Sequence, residues 1–197
     1  TGVALDGPMP EAPAVVLVAV KPQMMESALP GLRGFGNGGT LVVSVAAGTT
    51  IAQYESVLGA RTPVIRTMPN APAAVGRGIT ALIGNAMARP AHMALAGRLM
   101  AAVGEVVTLE SEAQMDAVTA VSGSGPAYVF HLVEALAAAG EDAGLPPGLA
   151  MRLARATVCG AGELAHRDAA DAATLRRNVT SPGGTTAAAL AHLMDDE

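Results

Sequence analysis

Two glycine-rich segments carry the residue types that could hold an anion. "SGSGP", Ser122 to Pro126, sits between "DAVTAV" and an apolar run of helical spacing, and "TSPGGTT", residues 180–186, precedes another. Each sets hydroxyls beside glycine just ahead of a helix. Backbone N–H groups there lack intrahelical partners and attract carboxylates or phosphates. The competing reading for either segment alone is close helix packing with Ser/Thr capping. Two such segments in one half of the chain favour an anion site. Neither is a phosphate loop, which ends in Gly-Lys-Ser/Thr.

Little else offers acid, base or metal chemistry. His92, His131, His166 and His192 are scattered, with no ligand partner at metal spacing, so no metal site is expected. Glu112 and Asp116, four apart, read as a solvated like-charged pair unless a site claims them. No Gly-x-Ser-x-Gly elbow comes with a credible partner set. Three loops that follow valine-rich runs remain: "AVKPQ" (Ala19 to Gln23), "AAGTT" (Ala46 to Thr50) and "MPNAP" (Met68 to Pro72). Lys21 is the cation at a strand end, with a solvated surface lysine as the alternative. Asn70, between prolines, is held in a stiff turn where its amide could address a ligand or simply shape the turn. Hydride transfer tolerates so weak a set of acids and bases, because a cofactor carries the hard chemistry. The protein then has to position the substrate and offer a hydroxyl donor.

The elements needed to position these loops are legible. Residues 14–20, 40–46, 63–68, 79–84 and 105–110 are strand-length apolar runs, most of them apolar on both faces, as expected for a sheet covered by helices. Between them, Thr50 and Gln53 form a capping box before a helix that stops at Gly59, and Pro90 starts a helix that should end at Gly104. After about residue 112 the strand runs cease and alanine-rich helical patterns take over. The expected fold class is therefore α/β followed by all-α: a Rossmann-like, mainly parallel sheet over residues 1–112 and a helical domain over 113–197.

Aromatic residues are only 2 % of the chain, so its core must be built from small and aliphatic side chains. A net charge of −5 without a basic stripe argues against a nucleic-acid partner. No apolar run is long enough to span a bilayer and no signal peptide is visible, so no membrane partner is expected. The lone Cys159 reads as a buried structural thiol in a reducing, cytoplasmic setting. The helical half is too small to bury its own apolar surface, which points to pairing with a second copy through closed two-fold symmetry.

"AVKPQ", "VVSVAAGTTI", "RTMPNAP", "DAVTAVSGSGPAY" and "NVTSPGGTT" occur in the order and spacing of pyrroline-5-carboxylate reductases, and the chain resembles that family throughout. The resemblance implies reduction of 1-pyrroline-5-carboxylate to L-proline with NADPH or NADH, the last step of proline biosynthesis. It implies a helical dimerisation domain that interlocks with a second copy, in a homodimer or a larger ring. By the same resemblance Ala19, Val20, Lys21 and Pro22 lie along the cofactor. Ala46 and Ala47 lie near its nicotinamide, with Asn70 and Asn178 close by. Thr119 is the hydroxyl donor to the imine nitrogen. Glu112 lies near the substrate ring, Ser122, Gly123, Ser124 and Gly125 approach the substrate, and Ser181, Gly183, Gly184 and Thr186 clasp its carboxylate. On that reading Gly123 and Gly125 admit close backbone approach, and free N–H groups beside Pro126 face the anion.

The family opens with a strand, a Gly-x-Gly-x-x-Gly turn and a helix that cradle the cofactor pyrophosphate. We read no such unit here, nor the family's last helix, and expect the chain to be part of a longer protein. Two rivals stand beside the reductase: a hydroxyacid-dehydrogenase type, disfavoured because the second half holds no lysine, and a non-catalytic dimerisation module.

Overall fold

The computed structural model describes Gly7 and residues 10–194. Five strands form one sheet in the order β1 (Val15–Val18), β2 (Leu41–Ser44), β3 (Val64–Met68), β4 (Gly78–Gly84) and β5 (Gly104–Thr108). β1, β2 and β3 are parallel, as are β4 and β5, while β3 and β4 are antiparallel. The reversal has a local cause. Residues 69–77 contain only a short 3₁₀ turn, Ala71–Val75, and are fewer than the dozen or so a parallel crossover needs. The carboxyl ends of β1 to β3 therefore share one crest of the sheet, and the loops singled out in the sequence all start there.

Alternation along the strands divides the core. Val42 and Val64 point into a cluster with Met25, Tyr54 and Leu58, beneath α1 (Met25–Ala28) and α2 (Ile51–Leu58). Leu41, Val43 and Ile65 point the other way, with Ala96 and Met100 of α3 (Pro90–Ala101). Both faces of β2 and β3 are covered, which explains why these central strands read as unbroken apolar runs. The Thr50/Gln53 capping box forms, and Gly59 ends α2 at φ +91°. Gly104 does not stop α3, which ends at Ala101. It opens β5 at φ +150°, against the backbone of its partner Gly78, where a Cβ would collide.

A continuous helical stretch follows Ser111: α4 (Met115–Val118), a π turn (Thr119–Gly123) and α5 (Gly125–Asp142). Then come α6 (Pro147–Arg167), α7 (Ala172–Asn178) and α8 (Thr185–Leu193). By contacts the chain divides into Thr1–Tyr128 and Val129–Glu197. In the second unit, α5 and α6 approach through small residues: a Cβ on Gly140 would lie 3.2 Å from that of Ala150. Cys159, expected to be buried, is exposed on α6, beside a groove of about 320 Å³ that Phe130 and Arg155 also line. Its neighbours along the helix are the small residues of "CGAG", which do not enclose it.

Candidate active site

At the crest, the loop after β1 holds Ala19, Lys21 and Pro22 exposed, while Val20 packs on the core beneath. The loop after β2 is tethered from below. Ser44 Oγ accepts the Ala46 N–H at 3.1 Å and lies 2.5 Å from Tyr54 Oη. Tyr54 is fully buried, and burial raises its phenol above the usual range, against the opposing pull of Ser44, Thr49 and Arg66. Ala46 itself is buried, so only its backbone can serve a ligand. Ala47 and Gly48, with Pro22, line a cavity of about 600 Å³. Gly48 has φ +75°, a conformation that suits glycine, and among the described residues nothing beyond its chain neighbours lies within 4 Å of where its Cβ would stand.

β3 ends in two ties to the helical stretch. The Arg66 guanidinium, buried in mid-strand, donates to Glu112 Oε1 at 2.7 Å, and the same oxygen accepts the Ile51 N–H at the start of α2 at 2.9 Å. A cavity of about 320 Å³ opens beside this pair, lined by Gly48, Thr50, Ala113 and Asp116 as well. Asn70 makes the second tie. Its Oδ1 accepts the Ile79 N–H at 3.0 Å and its Nδ2 donates to Ser122 Oγ at 3.2 Å.

The "SGSGP" segment is a turn inside a helix rather than an open loop. Pro126 has no N–H for the carbonyl four residues back, and its ring crowds that carbonyl, so the helix widens just before it. The Ser124 N–H instead reaches Thr119 O, five residues back, at 2.8 Å, closing the π turn. This corrects the expectation of free amides here: the Ser124 N–H is engaged, and the Ala127 N–H donates to Ser124 O at 2.9 Å. Gly123 does admit a close approach, since a Cβ there would come within 2.6 Å of Met68 Cε, whereas Gly125 faces open space in this chain. Thr119, half-buried, donates its hydroxyl to Met115 O at 2.8 Å. π turns inserted in α-helices recur at functional sites.

Asn178 and the second glycine segment belong to the other unit. Asn178 is the last residue of α7 and is exposed. Ser181 to Gly184 form a tight turn in which the Gly184 N–H donates to Ser181 O at 3.0 Å, with Pro182 second and Gly183 third at φ +69°, as a type II turn requires. Gly184 is the N-cap of α8 and offers no side chain to its first amides. Ser181 and Thr186 flank those amides and are exposed.

Residues 112–197 match the family described as pyrroline-5-carboxylate reductase dimerisation. The pyrroline-5-carboxylate reductase of Mycobacterium tuberculosis is 45 % identical over 90 % of this chain and 68 % of its own length. That of Pseudomonas aeruginosa is 47 % identical over 89 % of this chain and 64 % of its own. The solved Coxiella burnetii reductase superposes with a TM-score of 0.85 at 39 % identity, over 92 % of this chain and 67 % of that one. This chain belongs to the pyrroline-5-carboxylate reductase family. It spans about two thirds of the length of the curated relatives it matches. The Plasmodium falciparum reductase, solved with NADP bound, is 30 % identical with a TM-score of 0.81 over 92 % of this chain and 68 % of that one.

Within this reductase-family chain the first unit brings Ala47, Asn70, Glu112 and Ser122 to the crest or its ties. Sequence reasoning missed three residues there. Arg66 is a cation inside an otherwise apolar strand run, and that mismatch was the available signal. Ser44, in "LVVSVA", and Tyr54, on α2, carry no spacing signal, because their pairing depends on the packing of a helix on the sheet. "GFGNGG", residues 34–39, has the glycine spacing of a dinucleotide turn but precedes β2, at the end of the sheet away from the crest. Asn37 there donates its N–H to Thr62 Oγ1 at 2.8 Å, and a Cβ on Gly36 would strike Leu58 O, so the segment packs against the end of α2.

Proposed function

We propose that the protein carrying this chain reduces 1-pyrroline-5-carboxylate to L-proline with NADPH, or with NADH, in the cytoplasm. The observation that carries the reading is the 47 % identity to the Pseudomonas aeruginosa reductase across 89 % of the chain, sheet and helices alike. The crest suits the nicotinamide end of a dinucleotide, since Ala47 and Gly48, with Pro22, present little side-chain bulk at the edge of the cavity that runs between the α1 and α2 segments. Ala19, Lys21 and Pro22 border the same crest, and Asn70 braces its far side.

A reduced nicotinamide held at this crest would supply the hydride for the imine carbon, and the ring nitrogen would then need a proton. For that proton we assign Thr119 as relay: its hydroxyl donates to the nitrogen and takes a proton back from solvent water. Its hydroxyl is half-buried and held by Met115 O, so it must turn from that carbonyl to address a substrate. Ser122 orients the substrate from the π turn, and the uncapped amides of α8 with Ser181 and Thr186 take its carboxylate. Helix starts favour anions in this way. Glu112 supports the ring side of the site. The apolar faces of α5 and α6 bind a second copy, so the reductase is a homodimer or a larger ring built from it. Residues 113–197 serve as the dimerisation domain.

The test is to mix the full-length protein with 1-pyrroline-5-carboxylate and NADPH and follow loss of absorbance by the reduced nicotinamide. Steady consumption matched by proline formation is expected. A flat trace at high protein concentration, with either NADPH or NADH, overturns the reading in favour of a non-catalytic module.

A further inference from the structure

Arg66 is the only charged side chain among the buried described residues, at 5 % exposure in the middle of β3. Stability alone does not account for it. An apolar pair of similar volume commonly replaces a buried ion pair at no loss, or with a gain. What an apolar residue could not do is hold Glu112. Through one carboxylate oxygen, Glu112 joins segments far apart in the chain: β3 at Arg66, 46 positions away, and the first amide of α2 at Ile51, 61 positions away. The Ala46–Thr50 loop runs directly into that amide. Ten residues after Glu112, the π turn is tied to β3 again through Ser122 and Asn70. Thr119 lies between the two ties. The position of the turn relative to the loop is therefore set from both sides of the β3 end, and Arg66 supplies the charge for one of them.

We infer that Arg66 is a positioning residue: acting through Glu112, it holds the Ala46–Thr50 loop and the Thr119–Ser122 turn in one fixed relation. The kinetic arm of the test rests on the reductase reading; the exchange arm does not. In the full-length protein, Arg66→Met should lower kcat per folded site by about 10- to 100-fold, the scale of a misplacement near 1 Å. KM for both substrates should change little, and Arg66→Lys should restore part of the loss. Added to Glu112→Leu, Arg66→Met should cost nothing further in kcat, because its effect passes through that carboxylate. The Arg66→Met/Glu112→Leu protein should melt within a few degrees of wild type. Amide exchange across residues 47–53 should quicken in both Arg66→Met proteins.

A merely structural role predicts otherwise: activity and folded fraction fall together, with kcat per folded site unchanged. That result overturns the inference. So does a further tenfold loss in the Glu112→Leu background, or wild-type exchange across residues 47–53. If the wild type does not turn over 1-pyrroline-5-carboxylate, the reductase reading fails, and exchange alone decides: faster exchange upholds the lock and unchanged exchange removes it.

Discussion

In the sheet unit, Val42, Val43, Val64 and Ile65 are sealed from solvent on both faces by helices of the same chain. In the helical unit, Phe130, Leu132, Leu149, Leu153 and Leu164 are each more than two-fifths exposed, and the buried side chains are the small ones, Ala137, Ala150 and Ala154. The two units close their apolar surface differently. A sheet has two faces, and strand–helix alternation in one chain covers both. A pair of helices meeting along an alanine and glycine seam buries that seam and leaves the flanking leucines outward. Contiguous apolar surface of this kind on a folded unit marks an interaction face.

The largest effect should come from charging that face. On the proposed reading of a paired reductase, Leu153→Arg should give a monomer without reductase activity while the sheet unit stays folded, as read by sedimentation alongside circular dichroism. Retention of the wild-type sedimentation coefficient would show that α6 is not the covered face, and the contrast between the units would fail. Next in size is Leu82→Ala in the sheet unit. Leu82 is 1 % exposed within the Val43/Ile65 cluster, so the cavity should cost about 2–5 kcal/mol in urea denaturation. Its cost should not vary with protein concentration, because its neighbours all come from its own unit. Leu132→Ala should instead show a concentration-dependent cost. Equal behaviour of the two variants across concentration would erase the distinction.

The same contrast explains what the sequence disclosed. The central strands β2 and β3 and the Thr50 cap were legible because burial on both faces leaves continuous apolar runs, and a capping box needs only residues three apart. The antiparallel turn to β4 was not read, although the shortness of residues 69–77 contained it. The π turn was mistaken for a loop because Ser, Gly and Pro signal loops. Only the neighbouring helical turns show that Pro126 widens a helix here instead of ending one. Of the candidate site, Asn70 was legible from its stiff turn, Ser122 from its glycine segment and Glu112 through family likeness, whereas Arg66, and the pairing of Asn70 with Ser122, emerge from distance alone. Arg66 pairs across 46 residues and Asn70 across 52, beyond the reach of any local pattern.

The smallest effect tests how dry the sheet unit is. Tyr54 is fully buried, its hydroxyl 2.5 Å from Ser44 Oγ, and burial is the main reason its phenol sits above the ordinary range. The folded protein thus keeps a proton that the unfolded chain gives up near pH 10. A pKa raised on folding gives stability that is fully present below the unfolded value and is lost as pH rises through the folded one. Tyr54→Phe removes the hydroxyl and leaves Ser44 Oγ with the Ala46 N–H, so at neutral pH the variant should lose only about 1 kcal/mol, one buried hydrogen bond. Phenylalanine has no proton to give up. Above about pH 10 the wild type should therefore lose stability faster than Tyr54→Phe, and the gap between them should narrow. Urea denaturation of both proteins at neutral pH and again at about pH 10.5 reads this directly. A gap that stays constant would mean that water reaches the phenol, and that the sheet unit is less sealed on the α2 side than its burial implies.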